Sequence, residues 1–367
     1  MGRFLSLWTM HYLNMQGRSF GSRSTFGVTT HVSTLNTMVM DEIQFHLFVD
    51  EDVIAVLAEF GINEVNHSQW AKNANTSLNF LQSDRILFPL ATTFMRFSFQ
   101  FHTVTHELAH ALGIFHTQSR SDRDQYVTII AGNAEKDQRS NFVAETSKIS
   151  ENYGIPYEYG SVMHYRNHEF SVNQLPTVVP RDPLHEQTMG SGTGPSFLDV
   201  LLVNKHYNCL DRCKNYNTKC ANGGYAHPRR CDICACPSGF GGKFCESKEH
   251  SPGCGGTVFA SNQYSLLSWT SGQQGTRDDM SYCHWWIQSP SDKQIEVKIT
   301  RLNARCWEGC LFGGLEVKAS YDKRLTGYRF CCSNSIGKYI IAPGGILPVI
   351  LFNRQDFTSF EIQFRTV

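Results

Sequence analysis

All thirteen cysteines of this 367-residue chain fall between Cys209 and Cys332, and the first 208 residues contain none. That asymmetry divides the chain before any secondary structure is considered. A cysteine-free front half must hold together through its own core. The back half has the cysteine density of small modules stapled in an oxidising, extracellular compartment. The length favours two or three domains. Charge is balanced, 33 basic against 33 acidic residues, which points away from nucleic acid as a partner. No apolar run reaches the roughly 18 residues of a membrane-spanning helix.

The front half carries its own signature, HELAHALGIFH at residues 106–116. His106 and His110 are four apart, so on a helix both imidazoles project from one face. Val104, Leu108, Ala111 and Leu112 are then predicted to face the opposite way, into a core. Gly113 ends the helix as a left-handed cap and lets the chain swing His116 back to the same point. Three imidazoles leave a fourth position open for water, the mark of a catalytic zinc, so one Zn2+ per chain is expected. Glu107 is placed to act as general base on that water.

This motif, its continuation HTQSRSDRDQYVTI (116–129) and GSVMHY (160–165) resemble the astacin branch of the metzincin zinc endopeptidases. The resemblance implies an α+β catalytic domain, a zinc helix with a twisted sheet. It makes GSVMHY the Met-turn, with Met163 the floor under the metal and Tyr165 an extra ligand that swings off to stabilise the oxyanion. YVTIIAGNAEKDQRSNF resembles the family's strand-loop-helix segment. GSGTGPSFLDVLLVNKHYNC (190–209) resembles its closing segment, in which Phe197, Leu198, Val200, Leu201 and Leu202 give a helix its buried face. The loop after the Met-turn carries Arg166 and Arg181, which would line a subsite for the acidic residue the family often prefers after the cleaved bond.

The first hundred residues resemble the family least. They lack its three cysteines and its recognisable prosegment aspartate. Residues 1–101 are therefore read as a divergent or truncated N-lobe, ahead of the zinc-binding core and C-lobe at 102–209. Ile43, Phe45 and Leu47 alternate, and Val53, Ile54, Leu57 and Phe60 take helical spacing. Asn66 and Asn75 stand in glycosylation sequons. Phe97, Phe99 and Phe101 alternate as a strand leading into the zinc helix would. MGRFLSLWTMHYL shows no clear signal peptide, and the native start is expected upstream of Met1. Thr117 replaces the glutamate that usually follows the third histidine, so that residue's ion pair with a trimmed N-terminus cannot form. Cys209, just after HYN, lacks its family partner and is expected to be a free thiol.

Cys213, Cys220, Cys231, Cys234, Cys236 and Cys245 form a set whose ending, CACPSGFGGKFC, resembles an EGF-like module at 210–250. CDICAC also has the look of a zinc knuckle, but extracellular thiols are oxidised. Residues 251–367 resemble an all-β CUB sandwich in the CHWWI strand and the closing VILFNRQDFTSFEIQFRTV. Ile295, Val297 and Ile299, and again Phe360, Ile362 and Phe364, alternate as strands. Cys254, Cys283, Cys306, Cys310, Cys331 and Cys332 allow fifteen pairings. The resemblance implies Cys254 with Cys283, leaving Cys306 and Cys310 to pair with Cys331 and Cys332. Asp278 and Asp279 are present, but the acidic set of calcium-binding CUB domains is not recognisable. The composite resembles nematode members of the family. It implies a secreted zinc endopeptidase acting on extracellular proteins such as matrix or cuticle, with matrix partners reached through the EGF-like and CUB modules. The competing expectation is a catalytically impaired secreted binding protein that works through those modules alone.

Overall fold

The computed structural model describes residues 99–191 and 193–367. The patterns at residues 43–60 and both sequons, Asn66 and Asn75, lie outside the described residues, as does nearly all of the expected N-lobe.

The first described element is helix α1, Phe99–Ala111. Residues 99–101 are thus helical, against the strand expected from Phe97, Phe99 and Phe101. A period of two over five residues competes poorly with i→i+4 hydrogen bonding, and Thr105 Oγ1 adds bonds to Phe101 O and His102 O. The buried stripe also differs from expectation. Thr105, Ala109 and Leu112 are buried, whereas Ala111 is exposed. Ala109 packs on Val162 and Met163, so the turn at 160–163 covers a side of the helix that its own sequence could not reveal. Leu112 packs on Val203 of helix α2, Phe197–His206.

Between the helices regular structure is sparse. Strands β1 (Val127–Ile129) and β2 (Val178–Pro180) pair antiparallel. The helical part of the expected strand-loop-helix segment is only a 3-10 turn, Arg139–Phe142. Backbone carbonyls that no ladder satisfies are taken by buried and half-buried side chains. Arg123 donates to Gln118 O and Phe142 O, and Arg120 to Ile155 O and Pro156 O.

Residues 213–248 form two small hairpins, β3 (Tyr225–His227) with β4 (Arg230–Ala235) and β5 (Phe240–Gly241) with β6 (Ser247–Lys248). Three disulfides hold them: Cys213–Cys231, Cys220–Cys234 and Cys236–Cys245. Cys209 is free and half-buried, and burial raises its thiol pKa, partly offset by Arg212.

The remainder is β-rich: β7 (Gly256–Phe259), β8 (Ser265–Gln288), β9 (Ile295–Asn303), β10 (Gly313–Val317), β11 (Tyr328–Phe330), β12 (Tyr339–Ala342) and β13 (Ile346–Thr366). They form one sheet in the order β11-β10-β13-β8-β7, with β9 joined to β13 and β12 to β9. Only β7 with β8 is parallel. Strand β13 runs along β8 throughout, and its other edge passes from β10 to β9 across bulges near Asn353–Phe357. The two parts close over a common core that includes Trp285, Ile295, Val297, Ile299, Val317 and Phe360. Disulfides Cys254–Cys283, Cys306–Cys332 and Cys310–Cys331 complete the region.

Candidate metal centre and cleft

Helix α1 supplies His106 and His110 one turn apart, and its end supplies the return. Gly113 has φ +83°. Ile114 N bonds Ala109 O at 3.0 Å and Gly113 N bonds His110 O at 2.9 Å, the paired bonds of a Schellman cap. The chain then delivers His116 to the helix face. His116 Nε2 lies 3.0 Å from His110 Nε2 and 3.2 Å from His106 Nε2.

The opposite ring nitrogens explain why the Nε2 atoms converge. His106 Nδ1 bonds Val162 O at 2.8 Å and His110 Nδ1 bonds Ile114 O at 2.9 Å. A carbonyl can only accept, so each Nδ1 carries the proton, and in the neutral ring that leaves the lone pair on Nε2. Burial, followed by the neighbouring imidazoles, lowers the pKa of His110 to about 4 and of His116 to about 2. Neutral imidazoles meeting at one point form a zinc donor set. Zn–N bonds of about 2.0–2.1 Å in a tetrahedron put the nitrogens about 3.3 Å apart, close to the separations here. These three histidines are the one group among the described residues that could hold a metal.

The turn at 160–165 packs beside them, on Ala109 of the helix and on His106 through Val162 O. Met163 is buried against Ala109 and Val162. Tyr165 lies with its ring 4.5 Å from that of His116, and burial raises its phenol pKa. Glu107 keeps part of its side chain open, yet desolvation raises its carboxyl pKa while His106 pulls the other way. Its charge reaches both His106 and Tyr165. Arg166 lies against Gly190, but Arg181 is exposed and donates to Asp124 O, so the two arginines expected in one subsite have different surroundings. Thr117 is buried, with its backbone N–H on Met163 O.

Three supporting residues escape the sequence reading. Asp199 accepts from Ser161 Oγ at 2.6 Å and Val162 N at 2.9 Å, tying α2 to the turn that bonds His106. Gln118 Oε1 receives Tyr165 N at 3.0 Å. His164 is buried between Tyr157 OH and Tyr165 O, and burial lowers its pKa to about 4. Only Asp199 has a local signal, the Ser196-x-x-Asp199 capping box.

The family profile described as Astacin, a peptidase family, matches residues 95–208. Zinc metalloproteinase nas-31 of Caenorhabditis elegans is 40% identical over 271 residues, covering 73% of this chain and 44% of that protein. Zinc metalloproteinase nas-25 of the same organism is 38% identical over 275 residues, covering 72% of this chain and 67% of that protein. A solved structure, High choriolytic enzyme 1, a hatching enzyme zinc-protease of Oryzias latipes, shares 36% identity with a TM-score of 0.26 over 28% of this chain and 50% of its own. Against nas-31 and nas-29 the chain spans about half of the relative's length, 44% and 50%. The matched residues contain all three histidines, and the chain belongs to the astacin family of zinc metalloproteinases.

Proposed function

We propose that this chain is a secreted zinc metalloendopeptidase that hydrolyses peptide bonds of extracellular proteins, matrix or cuticle among them. The observation that carries the reading is the convergence of three Nε2 atoms at 3.0–3.2 Å, two of them oriented by Nδ1 bonds to carbonyls. In this reading His106, His110 and His116 hold one zinc, with Tyr165 beside them as a further ligand. Zinc at such a site supplies a Lewis acid that polarises a carbonyl and acidifies water. Glu107 takes the proton of the attacking water and passes it to the leaving amine. Tyr165, kept protonated by burial, donates to the charge that develops on the carbonyl oxygen. Met163 and Gly113 keep the histidines in place.

Residues 210–250 are proposed as an EGF-like module, supported by first-to-third, second-to-fourth and fifth-to-sixth cysteine pairing. Residues 251–367 are proposed as a CUB sandwich that contacts extracellular partners. Six disulfides fit an oxidising compartment, and no described helix is long and apolar enough to cross a membrane. The test combines zinc analysis of purified protein with a peptide-library cleavage assay. One zinc per chain and chelator-sensitive cleavage support the reading. Zinc without cleavage points instead to a binding protein with an impaired catalytic lobe.

A further inference from the structure

The β-rich C-terminal region reaches the loop that follows Tyr165. Strand β11 bonds Asp182 through Tyr328 and bonds Thr188, Ser191 and Thr193 through Arg329. Gln187 is buried, and its amide is spent entirely on the other side: Nε2 donates to Asn334 and Ser335, and Oε1 accepts Cys331 N and Cys332 N. Arg329 donates to Ser191 and Thr193 while its Nε pairs with the buried Glu316 at 2.9 Å.

Beside this contact stands a short loop, Cys306–Cys310, fixed at both ends by Cys306–Cys332 and Cys310–Cys331. Its Glu308 bonds His168 Nδ1. Its Gly309 has φ +67°, and a Cβ there would come within 2.1 Å of Gly190 O. Gly190 in turn lies close on Arg166, since a Cβ on it would meet Arg166 Cγ at 2.2 Å and Cα at 2.9 Å. Two routes therefore run from one cross-linked loop to residues 166 and 168. Those residues closely follow Tyr165, whose ring also meets Phe170 at 5.6 Å.

We propose that Glu308 is a positioning residue for the peptidase reaction: through His168 it sets residues 165–170 beside the three-histidine site. The C-terminal region is on this view a working part of the cleft. A role in global stability fits less well, because the side chains of His168 and Glu308 are 42% and 38% exposed and exposed ion pairs contribute little. A hydrogen bond on a loop anchored by two disulfides instead limits where its partner loop can go. The inference rests on the peptidase reading above.

The test uses the full chain with Glu308→Ala, Glu308→Gln, His168→Ala and the Glu308→Ala/His168→Ala double variant. Arg301→Ala, on an exposed residue, is the control. Hydrogen exchange of the 165–171 segment and kcat and KM on a peptide are read together, at matched zinc content. Glu308→Ala and His168→Ala should each speed exchange of that segment and lower kcat about tenfold with KM nearly unchanged, less than the roughly hundredfold that a misplacement of about 1 Å can cost. The double variant should be no worse than either single one. Glu308→Gln should keep most activity, since its amide oxygen still accepts the Nδ1 proton. Unchanged exchange and kcat, additive losses, or a Gln variant as poor as Ala would each overturn the proposal. A wild-type chain that cleaves no peptide defeats the peptidase reading alone, because the exchange measurement still decides the positioning role.

Discussion

The lobe around the three histidines and the β-rich C-terminal region reach rigidity by opposite means. Among the described residues, 113–196 contain two three-residue strands and no disulfide, and buried or half-buried polar side chains fix the loops: Arg120, Arg123, Gln118 and Asp199 each bond backbone groups. Residues 254–366 rely on long paired strands, three disulfides and an apolar core. A cleft needs loops at fixed positions, and loops cannot satisfy their backbone through a ladder, so side chains must do it. A region without that demand can use alternation and burial alone. The first arrangement is sensitive to single polar atoms, the second to volume.

The largest effect separating the two should come from Glu107→Ala. Glu107 is the one carboxylate within the histidine motif and the proposed base, so kcat/KM on a peptide should fall by about two to four orders of magnitude. Zinc content and thermal midpoint should stay as in the wild type. Retained cleavage would remove Glu107 as the base. Phe360→Ala is the mirror experiment. Phe360 is buried, with its ring 5.5 Å from that of Trp285, and truncation should lower unfolding free energy by about 3–5 kcal/mol. Activity per folded molecule should be unchanged. A Phe360→Ala protein that folds normally but cleaves poorly would erase the division of labour.

The same contrast decides what can be read from the sequence. The histidine motif is legible because one helical turn and one capped return bring its residues together locally. Alternation at Ile295, Val297 and Ile299 is legible because a half-buried strand has period two, and all three are buried. Periodicity misses Ala109 and wrongly prefers Ala111 because it defines only a stripe, while the covering element, the turn at Val162 and Met163, lies far along the chain. Asp199 shows its cap locally but not its bonds to Ser161 and Val162. The Glu308–His168 bond spans 140 residues and leaves no trace in either local pattern.

A third, smaller effect lies where the two regions meet. Glu158 is buried, with Oε1 on Gly160 N at 2.8 Å and Oε2 on Thr326 N at 3.0 Å. Burial raises its pKa from 4.5 to about 7, against the pull of those two bonds. The folded state therefore holds a proton that the unfolded state has lost between those values. The stability this confers is fully present below pH 4.5 and is lost as pH rises through 7. The shift of about 2.5 corresponds to about 3 kcal/mol. Glu158→Gln has no proton to lose, so the stability gap between wild type and variant should be widest near pH 4.5 and shrink by about that amount by about pH 8. Denaturant unfolding at both pH values measures it, and the pH effects of groups that do not interact with Glu158 cancel in the difference; Asp199 and Lys318 do interact with it. A constant gap would mean that Glu158 ionises in the folded protein over the same pH range as in the unfolded chain.

The smallest effect tests whether the polar lobe is as interconnected as its hydrogen bonds imply. Ser196 caps α2: its Oγ accepts Asp199 N at 3.1 Å, and Asp199 Oδ2 accepts Ser196 N at 2.8 Å. Ser196→Ala removes only the first of these, a loss of about 1 kcal/mol for an ordinary N-cap. Asp199 keeps its bonds to Ser161 and Val162, and Val162 O keeps His106 Nδ1. If the cap is local, stability should fall by that amount with kcat/KM unchanged. If the chain from Ser196 through Asp199 and Val162 to His106 acts as one network, kcat/KM should fall as well, and the cost should exceed that of a single cap. We expect the local result, because Asp199 retains three of its four hydrogen bonds and its position is over-determined without Ser196 Oγ.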